Sequence, residues 1–191
     1  MRFFLVLVVL VSFAAPVLQG CVPLVVGAGV GAGVMVADDR RSSATMLEDQ
    51  TIEIKAAQRI NERFEGKYRV SVTSFNRYVL LVGQVPNEDT KREIEAMVLE
   101  VPNVRNVQNE LTISGATSMV SRSNDSLITS RIKARLVQSK EVSANHVKVV
   151  TENGVAYLMG LVTRSEAEAA SQVAATTSGV QRVVKVFEYL D

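Results

Sequence analysis

The chain has 191 residues, 47% of them hydrophobic but only 5% aromatic and none Trp, so any core it builds is made of Val, Ile, Leu and Ala. With 21 basic against 20 acidic residues there is no global field to draw it onto nucleic acid, and any charge effect must be local. The single cysteine excludes an internal disulfide, and with only one histidine no Cys/His zinc set can form, so neither a metal nor another cofactor is expected.

In chain order, Met1 and Arg2 precede an apolar run over residues 3–18 that is too short and too abruptly ended for a membrane span. It reads as a signal peptide over residues 1–20. The following "LQGC" at 18–21 resembles the bacterial lipobox, which implies cleavage before Cys21 and acylation of that cysteine. Val22 stands where an Asp would, by enterobacterial sorting rules, retain a lipoprotein at the inner membrane, so the outer membrane is expected, with the protein facing the periplasm. The "GAGVGAGV" at 27–34 lacks both the spacing and the lysine of a phosphate-binding loop. Residues 21–48 therefore read as a lipidated tether, and the polar segment over 37–50 carries the chain away from the bilayer.

Beyond residue 50 the sequence repeats. Ile52, Ala56 and Ile60 match Ile128, Ile132 and Leu136 at an offset of 76, each set the i, i+4, i+8 stripe of an amphipathic helix. Residues 70–85 match 147–162 at an offset of 77, alternating apolar runs broken by Asn76 and by Asn153-Gly154, the pattern of two hairpins. Gly83 and Gly160 fall at matched places near the end of each second strand. A helix follows in each copy, opened by Asn87 in the first and by the capping box "TRSE" at 163–166 in the second, and a strand closes each at 104–113 and 180–190. The fold class is α+β: two tandem α-β-β-α-β domains at 49–114 and 124–191, each a three-stranded mixed sheet with two helices on one face, joined by a Ser/Thr-rich linker at 115–123.

This order, the glycines of "LLVGQV" and "YLMGLV", and the closing V-x-x-V-x-N-x-L of residues 104–111 resemble the BON domain. Two positions depart from the pattern. Lys185 replaces an Asn, and Pro102-Asn103 replaces a Gly-Val step, which places Asn103 in a left-handed conformation. With the lipobox, the whole is similar to dual-BON outer-membrane lipoproteins. That resemblance implies phospholipid binding, support of outer-membrane integrity and enrichment at the division site.

An enzyme is not expected. His146 reads as a lone surface or edge histidine beside a strand, no nucleophile–base set is in view, and the carboxylates scatter over helix faces, so there are no catalytic residues and no small-molecule substrate. The charge is uneven: residues 45–114 hold 9 basic and 11 acidic side chains, residues 115–191 hold 9 and 7. The second repeat is the one biased toward an anionic partner. On its first helix, with Ile128, Ile132 and Leu136 facing inward, Leu127, Ser130, Ala134 and Val137 fall outward, with Arg131 and Lys133 on the two edges and Arg135 nearby. A small apolar strip bordered by cations suits shallow insertion among anionic phospholipids. The alternative is a scaffold that offers strand edges to partners such as the outer-membrane assembly machinery.

Overall fold

The computed structural model describes residues 39–114 and 119–191; Cys21, the signal segment, the glycine-rich stretch and part of the linker lie outside the described residues. The elements are α1 (Ser43–Phe64), β1 (Val70–Phe75), β2 (Tyr78–Val85), α2 (Glu88–Leu99) and β3 (Asn106–Ile113), then α3 (Met119–Gln138), a 3-10 turn at Ala144–His146, β4 (Val147–Glu152), β5 (Val155–Val162), α4 (Arg164–Ala175) and β6 (Arg182–Tyr189). Each repeat is α-β-β-α-β, as expected.

Helix α1 starts earlier than the sequence suggests, since residues 43–48 of the segment read as tether are already helical. Ser42 caps it by accepting from the Thr45 amide, and it ends at Glu65, which is left-handed at φ 52°. Its extra turns bury Asp49, whose carboxylate accepts from the amides of Asn76 and Arg77 and from the Ser74 hydroxyl, at 2.7–2.8 Å. Helix α3 likewise begins inside the segment read as linker and carries buried Asp125, which accepts from the amides of Asn153 and Gly154. The two acids sit 76 residues apart and clamp the two hairpin turns in the same way.

Those turns run through positive φ, at 52° and 65° for Asn76 and Arg77 and at 49° and 73° for Asn153 and Gly154, the geometry that suits the right-handed twist of a tight hairpin. β1 and β2 pair antiparallel, and β3 returns through α2 to lie parallel to β2; β4, β5 and β6 repeat the arrangement. A Cβ at Gly83 or Gly160 would strike the carbonyl oxygen of Arg69 or of His146, so both positions need glycine. Asn87 caps α2, while Thr163 and Glu166 form a reciprocal capping box on α4. Asn103 is left-handed, with φ 71°.

Alternation along the central strands separates three cores. Val79 and Leu81 of β2 pack with Ile52, Ala56, Ile60, Ile94 and Val98 beneath α1 and α2. Ala156 and Leu158 of β5 pack with Ile128, Ile132, Leu136, Ala167 and Ala170 beneath α3 and α4. The opposite faces meet each other: Phe75, Leu80 and Val82 of the first sheet pack against Tyr157, Met159 and Val186 of the second. The repeats therefore form one helix–sheet–sheet–helix sandwich rather than two beads on a linker. Its rim is polar. Lys148 reaches Glu53 at 2.8 Å and the Ser74 carbonyl at 3.1 Å, Asn76 and Arg105 both reach Glu188 at 2.9 Å, and Gln84 reaches Glu152 at 2.6 Å. Burial, reinforced by Glu110, pushes the Tyr157 hydroxyl up to about 12.

Candidate functional site

The expected face lies on α3. Ile128, Ile132 and Leu136 are buried against the second sheet, whereas Leu127 is 55% and Val137 73% exposed, with Ser130 and Ala134 exposed between them. The hydroxyls of Ser126 and Ser130 bond back to the carbonyls of Arg122 and Ser126, at 3.1 and 2.9 Å, which lowers the polarity of that side of the helix.

The three cations differ in their engagement. Lys133 is exposed. Arg131 is exposed too and makes only a long bond, 3.3 Å, to the Ser178 carbonyl. Arg135 is committed elsewhere: its guanidinium donates to the Val173 carbonyl at 2.9 Å and to the hydroxyls of Thr177 and Thr176 at 2.8 and 3.0 Å, closing the C-terminal end of α4. Arg59, 76 residues earlier, does the same for α2 through the Met97 carbonyl at 3.4 Å. Recurrence in both repeats marks this as a structural device, which the spacing Arg59/Arg135 could have revealed. The structure thus brings Leu127, Ser130, Arg131, Lys133, Ala134 and Val137 onto one outward face and turns Arg135 toward the neighbouring helix.

The matching helix of the first repeat exposes apolar residues as well, Leu47 and Ile54, which the sequence reading does not single out. Of its cations, Arg63 pairs with Glu93 at 2.6 Å, Arg59 serves α2 as Arg135 serves α4, and Lys55 is exposed.

His146 is not a surface histidine. Its side chain is nearly buried, with Nδ1 3.5 Å from Glu166 Oε1. Glu166 also takes both arms of the Arg40 guanidinium, at 2.7 and 2.8 Å, and Arg40 donates further to the Leu161 carbonyl at 2.8 Å. These hydrogen bonds, against an opposing effect of burial, lower the Glu166 carboxyl from 4.5 to about 2. Arg41, next in the chain, pairs with Asp39 and Asp49 at 2.8 Å and stacks 3.8 Å above the Phe75 ring. Burial raises the Asp39 carboxyl, but the bonds from Arg41 outweigh it and hold it below its ordinary range. Residues 39–41 therefore clasp both repeats, a contact that no periodicity foretells. Among the described residues no group of three or more His, Cys, Asp or Glu side chains is arranged to hold a metal.

Comparison with known proteins places these features in context. The BON domain family model matches residues 48–115 and again 124–191. The chain is 42% identical over 176 residues to the outer membrane lipoprotein DolP of Haemophilus influenzae, covering 91% of each protein. It is 32% identical to a 21 kDa hemolysin of Actinobacillus pleuropneumoniae, over 80% of this chain and 79% of that one, and 28% identical to the osmotically-inducible protein Y of Escherichia coli, over 80% and 78%.

Proposed function

Since the chain belongs to the BON-domain family, as a dual-BON outer-membrane lipoprotein of the DolP type, we propose that it is a binding module and not an enzyme: its second BON domain contacts anionic phospholipid through α3 and so supports outer-membrane integrity, at the division site. It sits at the outer membrane, facing the periplasm, and the acylated residue in this reading is Cys21.

The observation that carries the lipid reading is the exposed Leu127–Ala134–Val137 strip with Arg131 and Lys133 at its borders, on a helix whose other side is fixed in the core. Partial burial of three small apolar side chains is worth about 2–3 kcal/mol at ~25 cal/mol per Å². Each cation near lipid phosphate adds about 1 kcal/mol. Contact is then weak, salt-dependent and reliant on tethering to hold the domain near its membrane.

Flotation of the unlipidated protein with vesicles tests this. Parent protein should float with anionic vesicles and not with zwitterionic ones, and Leu127→Glu should sink while keeping its circular dichroism, because the side chain leaves no cavity. Floating of Leu127→Glu at the parent's level would remove α3 from the reading.

A further inference from the structure

The two repeats share a cleft that Arg40 fills in one and that, among the described residues, forms a cavity in the other. In the second BON domain it lies between the start of β4, the end of β5 and the first turn of α4, and it receives Arg40 on the Leu161 carbonyl and the Glu166 carboxylate, with His146 alongside. The register is secure: Gly83 and Gly160 hold equivalent places, facing the carbonyls of Arg69 and His146 respectively. The strand register sets Gln84 for Leu161 and Arg69 for His146, 77 residues apart, and the helix caps, Asn87 accepting from the Thr90 amide and Thr163 from the Glu166 amide, set Thr90 for Glu166, 76 apart.

In the first BON domain this place is a cavity of about 230 Å³ whose walls include Lys67, Tyr68, Arg69, Val85, Pro86 and Ser114. The chemistry is reversed. The carboxylate that holds Arg40 is replaced by Thr90, and two cations enter where the second domain has Ala144 and His146. Of the nearby acids, Asp89 is engaged by Arg92 at 2.6 Å, and Glu65 meets Lys67 at 2.9 Å in a pair exposed at both ends, 63% and 74%, which a competing carboxylate can displace.

We propose that this cleft docks an extended acidic segment of a partner protein, as its twin docks the Arg40 side chain of the chain itself. A carboxylate side chain would meet Arg69 and Lys67, and an adjoining apolar residue would rest on Val85, Pro86 and the Tyr68 ring. The recess suits one or two side chains rather than a flat bilayer, and its twin already holds a side chain of this polypeptide, Arg40, which is why a protein segment is the favoured ligand.

The test uses the full-length lipoprotein in detergent micelles and a short fluorescent peptide rich in glutamate with a single leucine. The parent should bind it; Arg69→Glu and Lys67→Glu should each weaken binding by about tenfold or more, and Arg69→Gln by less. The peptide's glutamine counterpart should not bind, and Arg131→Glu on α3 should bind the peptide as the parent does, which separates this site from the lipid face. The proposal is overturned if Lys67→Glu and Arg69→Gln bind like the parent, if inorganic phosphate displaces the peptide at equal concentration, or if the Arg69 variants lose anionic vesicles and not the peptide.

Discussion

Two buried acids, Asp49 and Asp125, illustrate how single residues set the form of each repeat. Each faces two backbone amides of a hairpin turn, at 2.7–2.9 Å, and both are almost fully buried. Removing the carboxylate strands two backbone donors, at about 1–3 kcal/mol each and so about 2–6 kcal/mol in total. Asp125→Ala should therefore lower stability to denaturant by that amount, and a midpoint unchanged from the parent would show that water replaces the carboxylate without loss. Arg135 makes the complementary case. Its guanidinium serves the end of α4, so Arg135→Ala should lower stability by about 1 kcal/mol and leave vesicle binding within the reach of one exposed charge, whereas Lys133→Glu should do the reverse. Flotation and denaturant titration of the two variants side by side would expose an error in either assignment.

The elements were largely legible because two signals agreed. Ile52/Ala56/Ile60 and Ile128/Ile132/Leu136 gave helical stripes that are buried as expected, and the hairpin turns fell at Asn76 and Asn153-Gly154. What escaped were helix starts. Residues 43–48 and 119–123 carry no apolar stripe and look like tether and linker, yet they are helical, and the Asp carried on each of these helices is buried by a hairpin distant in sequence. A tertiary hydrogen bond overrode a composition argument. The outward strip of α3 was readable from 100° steps alone, but the engagement of Arg135 was not, since nothing in one helix says which neighbour its cations meet. The glycines were legible in place and not in cause. Gly160 has the carbonyl of His146 where a Cβ would go, so Gly160→Ala should force β4 from β5 and cost about 2–4 kcal/mol, readable as a loss of melting temperature; a cost within about 0.5 kcal/mol would mean the strand start yields freely.

At the scale of the molecule, the sandwich makes the two repeats mutually dependent, because each covers the other's second sheet face. The continuous apolar run of residues 79–82 is explained by this: alternate residues serve different cores, and periodicity cannot separate a strand buried on both faces from one that is merely hydrophobic. Residues 39–41 add a fastening across the same seam, and Glu166 is its ionisable end in the second domain. Its carboxyl titrates at about 2 instead of 4.5, so the folded state holds the ionised form more tightly than the unfolded chain does. The resulting stabilisation is complete above about pH 4.5 and is lost as pH falls from there toward 2. Allowing for partial solvent screening, it amounts to about 1–2 kcal/mol. Glu166→Gln keeps the capping geometry but not the charge, and is therefore expected to melt a few degrees below the parent at pH 7 and together with it near pH 2. It should also be cut faster by trypsin at Arg40 and Arg41, since loosening the clasp exposes that backbone. An equal melting gap at both pH values, or unaltered cleavage, would mean that the Arg40–Glu166 pair does not hold residues 39–41 against the domain pair.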